Sequence, residues 1–405
     1  VMPTSLIHNW LYEVKKWAPE LKTLVYTGLN RKEQVRLFNR CDLILTTYGT
    51  ARNDIELLKK YDFNYVILDE SQVIKNPAAK VTRAVKSLKS KYRISLTGTP
   101  IENSLSDLWS QFSFLNPGLL GSYKFFIGEF AQPIEKKGDE ERRNRLKKII
   151  SPFLLRRTKE EVARDLPPLT EKIYFSEMTE SQAKIYEEVR GHYRMKVMEA
   201  IENDGEKGAQ FFILKGLMQL RLIANHPAMY DPEYTGSSGK FDDIINSLTS
   251  LLSEGHKVLV YSQFVRHLDL LKKEFEKLEI RHAYLTGSTT NRGKVIDNFK
   301  NDPQCQAFLI SLKAGGVGLT LTEAEYVFMC DPWWNPATEQ QAISRAHRIG
   351  QNKSVFAYKF ISKDTVEEKI IQLQERKLQL SSGIIQSTRT ADHLITKEEV
   401  DELFS

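Results

Sequence analysis

Short apolar runs separated by stretches of helical spacing constrain this chain more than any other feature. TLVYTG (Thr23 to Gly28), LILTTY (Leu43 to Tyr48), YVILDE (Tyr65 to Glu70) and RISLTGTP (Arg93 to Pro100) form an early block. KVLVYSQF (Lys257 to Phe264), HAYLTG (His282 to Gly287), AFLISL (Ala307 to Leu312), YVFMCD (Tyr326 to Asp331) and VFAYKFIS (Val355 to Ser362) form a late one. Runs this short and this apolar belong to strands buried on both faces, and helical stretches such as 6–17 and 80–88 supply the crossovers between them. The predicted fold class is α/β, with parallel sheets. Between the blocks, from about Asn116 to Gly239, the pattern is mainly helical, with long charged faces and few strand runs. Within it Glu199 to Gly208 reads as a connection between helices and YDPEYTGSSGK, Tyr230 to Lys240, as a loop. Asp364 to Leu380 reads as an amphipathic helix; further on, Thr396 with Glu399 three residues later fits a capping box.

A chain of 405 residues is long enough for two or three domains with their own cores. Cys41, Cys305 and Cys330 are far apart and lack C-x-x-C spacing, which argues against a disulfide framework or a zinc site and fits a reducing compartment. No apolar run reaches the roughly 18 residues that a membrane span needs. The opening VMPTSLIHNW is no signal peptide and reads as a chain cut at the end of a buried strand. The net charge of +6 is mild, but from Lys136 to Lys159 ten lysines and arginines face only Asp139, Glu140 and Glu141. That stretch is either a solvated helix face or a phosphate-contacting surface.

Several motifs carry chemistry. Asp69 and Glu70 close an apolar strand, where α/β sheets place ligand chemistry. In a nucleotide hydrolase Asp69 would hold Mg²⁺ and Glu70 would polarise the attacking water. LTGTP, Leu96 to Pro100, sets Thr97 and Thr99 around Gly98. SLKAGGVGLTLT, Ser311 to Thr322, is a strand and a glycine-rich turn in which Gly315, Gly316 and Gly318 let backbone N–H groups approach a phosphate. DPWWNPATEQQAISRAHRIGQ, Asp331 to Gln351, sets Arg345 and Arg348 three residues apart behind Gln341. That spacing predicts one helical face carrying two cations, suited to the charge on a transferring phosphoryl group. Trp333 and Trp334 are expected to pack rather than to stack on a ligand. Thr4 and Ser5, Thr46 and Thr47, Gly287 and Ser288, and Thr320 supply hydroxyl or N–H groups at strand and helix ends, candidates for contacts to a polynucleotide backbone.

In this order the motifs closely resemble superfamily-two nucleic-acid motors, above all the Swi/Snf family of double-stranded-DNA translocases. VMPTSLIHNW looks like motif Ia, DESQ like motif II, LTGTP like motif III, VYSQF like motif IV, SLKAGGVGLTLT like motif V and EQQAISRAHRIGQ like motif VI. FLLRRTKEEVARDLPP (Phe153 to Pro168) and LMQLRLIANHP (Leu217 to Pro227) match blocks specific to that family. The resemblance spans nearly the whole chain. It implies two RecA-like parallel-sheet domains with helical protrusions inserted between them: 1–116 the first domain, N-terminally incomplete, 117–238 protrusions and linker, 239–362 the second domain, 363–405 a bracing helix and tail. It implies ATP and Mg²⁺ as cofactors, with Asp69, Glu70, Arg345 and Arg348 catalytic, and Gln72, Gly316, Gly318 and Gln341 at the nucleotide. Gln72 stands where helicase relatives often carry His and is expected to couple the phosphate site to the motor surface. The implied partners are double-stranded DNA and a DNA-bound protein complex (a nucleosome, a nucleoid protein or RNA polymerase), met by a monomeric motor with no membrane contact. The location is the nucleoid in a prokaryote, which the compact protrusions favour, or the nucleus in a eukaryote. One departure is large. No G-x-x-x-x-G-K-[ST] phosphate loop occurs among these residues, nor the family's adenine-contacting Gln motif. Weak or absent ATP hydrolysis is therefore expected of this chain alone. A strand-separating helicase and a catalytically silent DNA- or protein-binding fragment are the alternative readings.

Overall fold

Every strand run of the sequence becomes a strand of a parallel sheet in the computed structural model, which describes residues 1–98, 104–155, 157, 159–163, 165–315 and 319–372. The chain divides into two compact units, one ending at Arg156 and the other beginning at Arg157.

The first unit holds β1 (Thr23–Tyr26), β2 (Leu43–Thr46), β3 (Asp62–Asp69) and β4 (Lys89–Leu96). β1 pairs in parallel with β2, and β3 with β4. Val1 and Met2 lie between the two pairs. Met2 N–H donates to the Thr46 carbonyl (3.0 Å) and Asp69 N–H to the Val1 carbonyl (2.9 Å), so these two residues bridge β2 to β3. Around the strands run α1 (Ile7–Trp17), α2 (Tyr48–Asn53) and α3 (Lys80–Lys86). Tyr26, Phe38, Leu68, Ile74, Val85 and Phe114 fill the core. α4 (Leu105–Leu115) and α5 (Glu140–Ile150) belong to a second, helical core built on Phe112, Phe126, Phe130, Ile134 and Leu146.

Half of the basic stretch falls on α5, where its arginines face more acid than the local sequence shows. Arg145 reaches Glu129 (3.1 Å), Arg142 pairs with Asp139 (3.6 Å) and approaches Glu129, and Arg143 pairs with Glu140. Glu129 comes from a helical turn upstream of the acids counted against the run, so the solvated-face reading gains at these positions. Lys147 and Lys148 remain exposed.

The second unit adds β5 (Leu169–Ser176), β6 (Val258–Ser262), β7 (His282–Leu285), β8 (Ala307–Ser311), β9 (Tyr326–Met329) and β10 (Val355–Ser362), in the spatial order β5-β10-β9-β6-β8-β7, all parallel. Its helices include α6 (Glu180–Asn225), α7 (Gly239–Ser253), α8 (Val265–Lys277), α9 (Arg292–Asn301) and α10 (Pro336–Ile343). Alternate residues of the central strands enter two different cores. Leu259, Tyr261, Phe308 and Ile310 lie on one face, and Val258, Val260, Leu309 and Phe328 on the other. Both faces are covered, which is why the runs read as continuously apolar.

Two readings of the helical middle change. LTEKIYFS, inside the stretch predicted as helical, is the edge strand β5, paired along its length with β10. Its faces are mostly solvated, so its apolar signal is weak. Glu199 to Gly208 is no connection: α6 runs through it as one helix of 46 residues. Each internal glycine costs a helix about 1 kcal/mol against alanine. Burial of Val197 and Ala200 before them, and of Ala209 and Ile213 after, outweighs that cost. Residues 366–372 are helical, within the stretch Asp364 to Leu380 read as a helix; the rest of that stretch, Thr396 and Glu399 lie outside the described residues. Among the described residues no helix is long and apolar enough to cross a membrane.

The second unit also buries histidine. His226 Nδ1 accepts from Ala228 N–H (3.1 Å), and burial lowers its pKa from 6.5 to about 4. His267, fully buried, is pushed the same way by burial, then by the charges of Lys240 and His226. A histidine held neutral in the fold is protonated first in the unfolded chain, so stability is present above pH 6.5 and is lost as pH falls towards 4. His226 contributes on the order of 3 kcal/mol to that loss. Urea unfolding of the second unit from pH 7 to 4.5 checks this. His226→Asn, which keeps an acceptor for Ala228, should flatten the dependence, and an unchanged slope would disprove the assignment.

Candidate functional site

The carboxylate pair at the end of β3 sits in the first unit with its geometry fixed from several sides. Asp69 Oδ1 accepts from the Glu70 N–H (2.9 Å) and Oδ2 from Trp10 Nε1 (2.7 Å), a residue of α1. The Tyr48 hydroxyl at the start of α2 donates to the Asp69 carbonyl (2.8 Å). Burial, with the nearby charges of Asp69 and Glu70, pushes the Tyr48 phenol well up, so it stays a neutral donor. The two donors to Asp69 fix the plane of its carboxylate while each oxygen keeps a further lone pair. Among the described residues no cluster of three metal-ligating side chains occurs. Mg²⁺ commonly takes one or two carboxylates together with substrate phosphates, and Asp69 fits that role.

Glu70 has a left-handed backbone, φ 51° and ψ 53°, rare for a residue with a side chain and concentrated at functional sites. Its carboxylate accepts from Gln72 Nε2 (2.8 Å), and Gln72 Oε1 accepts from the Thr97 hydroxyl (2.9 Å). Glu70, Gln72 and Thr97 thus form a continuous polar chain from the end of β3 to the end of β4. Gln72 makes this connection through both ends of its amide. Thr99 lies outside the described residues, as do Gly316 and Gly318.

In the second unit the carboxyl ends of β6, β8 and β9 gather the remaining motifs. Gly315 is required by packing: a Cβ there would stand 2.6 Å from Ile310 Cγ2 and 2.7 Å from Tyr261 Cε1. Asn335 caps α10 by accepting from Ala337 N–H (3.1 Å), with Pro336 at the first helical position. Gln341 lies on α10, but the helix ends at Ile343. Arg345 and Arg348 therefore do not share a helical face, which corrects the sequence reading; they sit in successive turns. The run of i+3 bonds there, Arg345 N–H to Ala342 O (3.1 Å) and Ala346 N–H to Ile343 O (3.1 Å), tightens the chain out of α-helical geometry. The Arg345 carbonyl accepts from Leu321 N–H (2.9 Å), Arg348 Nη1 donates to the Thr320 hydroxyl (3.3 Å), and Gln351 Nε2 donates to Ala324 O (2.9 Å). These bonds join the residues after the glycine-rich turn to the arginine turn. Arg345 is nearly buried, Arg348 half-buried.

The proposed polynucleotide contacts divide. Thr4 is exposed in the turn that leads into α1, and Ser5 shares that turn. Thr46 and Thr47 are buried: the Thr46 hydroxyl donates to Tyr26 O (2.9 Å), and Thr47 caps α2 by accepting from Thr50 N–H (3.0 Å). Thr320 is engaged with Arg348. Gly287 and Ser288 lie in a turn before α9, whose cap is Asn291, not at the helix start itself. Trp10 and Arg221 were not singled out in sequence, Tyr48 was read only as the end of the run LILTTY, and Lys159 only as the end of the basic stretch. Trp10 lies within the motif Ia match and Arg221 within LMQLRLIANHP, but nothing in their spacing tells which group each one meets.

Residues 1–229 match the model of the SNF2-related domain, and residues 239–350 match that of the helicase conserved C-terminal domain. The putative ATP-dependent helicase/translocase YwqA of Bacillus subtilis is 37% identical over 418 residues, covering 100% of this chain and 45% of its own length. The TATA-binding protein-associated factor MOT1 of Saccharomyces cerevisiae is 34% identical over 466 residues, covering 100% of this chain and 25% of its own length. Among solved structures, the Sulfolobus solfataricus SWI2/SNF2 ATPase core in complex with dsDNA matches with a TM-score of 0.50 at 38% identity, over 99% of this chain and 85% of that one. The chain spans less than half the length of the curated relatives it matches.

Proposed function

The chain belongs to the SNF2-related family of ATP-dependent helicases and translocases, and from that premise we propose that it is the motor segment of a translocase on double-stranded DNA. The motor uses ATP to displace or remodel DNA-bound protein and leaves the strands paired. The observation that carries this reading is the carboxylate pair at the end of β3, with Asp69 held by Trp10 and Glu70 linked through Gln72 to Thr97. Glu70 would orient the attacking water and take its proton, and Asp69 would hold Mg²⁺, which would supply charge neutralisation at the phosphates. Arg345 and Arg348 offer guanidiniums to the charge that builds on the transferring group. The choice of duplex over single strand is supported by likeness to a core solved with dsDNA and by the family-specific blocks Phe153 to Pro168 and Leu217 to Pro227. Its place of action is wherever the cell keeps its DNA.

ATP hydrolysis without nucleic acid, with single-stranded DNA and with linear duplex tests the proposal. In the natural protein duplex should stimulate turnover and single strand should not; stimulation by single strand alone would favour a strand-separating helicase. The 405 residues by themselves carry no phosphate-loop motif. They should turn over ATP weakly or not at all, since the β- and γ-phosphates lack their usual cradle. Strong turnover by this chain, abolished by Glu70→Gln, would sink that expectation.

A further inference from the structure

We propose that Arg221 and Lys159 are positioning residues that clamp the two ends of the arginine-bearing segment Asp331 to Gln351. The proposal takes up the blocks around Lys159 and Arg221, to which the proposed function gives no task. It rests on that function only in assigning Arg345 and Arg348 to phosphate charge.

The first clamp lies at the end of α6. Arg221 is 3% exposed, and its Nη2 donates to the Pro332 carbonyl (2.6 Å). Its guanidinium lies 5.3 Å from the ring of Phe264, 6.0 Å from Trp333 and 5.7 Å from Trp334. Three rings around a planar cation fix its orientation as well as its place. The turn that carries Arg221 is itself anchored. Gln182 Nε2 donates to Ile223 O (2.8 Å), Ser362 Oγ to Ala224 O (2.7 Å) and Ser238 Oγ to Asn225 O (2.9 Å). Beyond Pro332, Glu339 accepts from Trp333 N–H (2.7 Å) and pairs with Lys359 (3.2 Å), which carries the hold into α10. The tryptophans therefore pack as expected, and they do so around Arg221.

The second clamp lies where α10 gives way to turns. Lys159 Nζ donates to the Ser344 hydroxyl (2.9 Å) and to the His347 carbonyl (2.9 Å). His347 Nε2 is bonded to the Pro167 carbonyl (2.8 Å), so its proton lies on Nε2. Lys159 and Pro167 thus hold the turn that contains Arg345 from the same preceding segment. The helix ends at Ile343, and carbonyls beyond a helix end need outside donors. A lysine there is also favoured by the helix dipole. Lys159, counted in sequence within a stretch read as a solvated helix face or a phosphate-contacting surface, bonds within its own unit.

Hydrogen exchange resolved by peptide tests the clamp in this chain. In Lys159→Met, amides of 336–348 should exchange about tenfold faster, the loss expected for a charged hydrogen bond at a locally opening element. Amides of β6 and β8 should not change, and Lys159→Arg should restore much of the protection. Arg221→Lys, which keeps the charge and loses the planar stack, should loosen 332–343. Lys159 is exposed, so its variant folds even if the Arg221 variant does not. In the natural protein Lys159→Met should lower kcat for ATP several-fold and leave KM little changed, because misplaced arginines weaken the transition state more than the bound substrate. Unchanged exchange in both variants overturns the clamp. Faster exchange with unchanged kcat also overturns the positioning role, provided that Arg345→Ala lowers kcat. If Arg345→Ala is silent too, the failure lies in assigning the arginines to phosphate.

Discussion

Glu70→Gln in the natural protein is expected to lower kcat for duplex-stimulated ATP hydrolysis by about 10³-fold, the range in which a positioned general base acts. The change is close to isosteric. A glutamine oxygen at that position still accepts from Gln72 Nε2, so the chain to Thr97 survives. Asp69 keeps both of its donors, Trp10 Nε1 and the backbone N–H at position 70. The left-handed backbone at 70 costs a glutamine about as much as a glutamate, so the fold should be indifferent. What is lost is the proposed ability to take the proton of water. Binding of ATP and of duplex should therefore persist while turnover and movement along DNA stop. Asp69→Asn makes the contrast. It removes charge from the group proposed to hold Mg²⁺, so more Mg²⁺ should be needed for half-maximal rate, whereas extra Mg²⁺ should not rescue Glu70→Gln. Turnover in Glu70→Gln within threefold of the parent would take Glu70 out of the chemistry.

The central strands of the second unit were legible because burial on both faces writes itself directly into composition, whereas β4, also read in sequence as a buried strand, has no buried residue. Val258 to Ser262 and Ala307 to Ser311 are buried along their whole lengths, and their runs are apolar up to the closing serine. β5 was not legible for the converse reason. LTEKIYFS lies at a sheet edge with most of its side chains solvated, and its partner β10 is far away in sequence. The long α6 was broken too early, since local glycine and charge outweigh, in a reading of neighbours, the packing that distant elements provide. At the site the residue types were readable and the geometry was not. Asp69 and Glu70 stand out because two acids close an apolar run, where α/β sheets place ligand chemistry. That Trp10 holds one of them depends on α1 returning to the end of β3. The arginine pair shows the limit most plainly. A spacing of three reads as one helical face only if the helix continues, and here it stops at Ile343, ahead of both arginines.

Lys240→Met is expected to destabilise the second unit by about 3–5 kcal/mol, because it leaves a buried carboxylate without its cation. Lys240, in the first turn of α7, and Glu367, in the helix that follows β10, are both fully inaccessible and meet at 2.6 and 2.7 Å. At roughly 2–4 °C per kcal/mol for a unit of this size, the loss should lower Tm by about 10 °C. Glu367→Leu alone should cost a similar amount, with the ammonium left buried instead. The double variant should recover part of the loss and not all of it. Replacing both members of a buried pair by apolar groups removes the uncompensated charge. Yet Glu367 Oε2 also accepts from Ser362 N–H (2.9 Å), and leucine cannot, so about 1–3 kcal/mol of unsatisfied backbone donor should remain. Gly239, one residue earlier, gives an independent check of how tightly this entry to α7 is built. Any Cβ there would overlap the Glu177 carbonyl, so Gly239→Ala should destabilise the unit although alanine is the better helix former. Calorimetry on the three pair variants separates the outcomes. A double variant less stable than either single one would show that the ion pair is not what the two residues contribute. Near-parent stability in Lys240→Met would mean that Glu367 finds another cation or takes up a proton, and the pair would then lose its structural role.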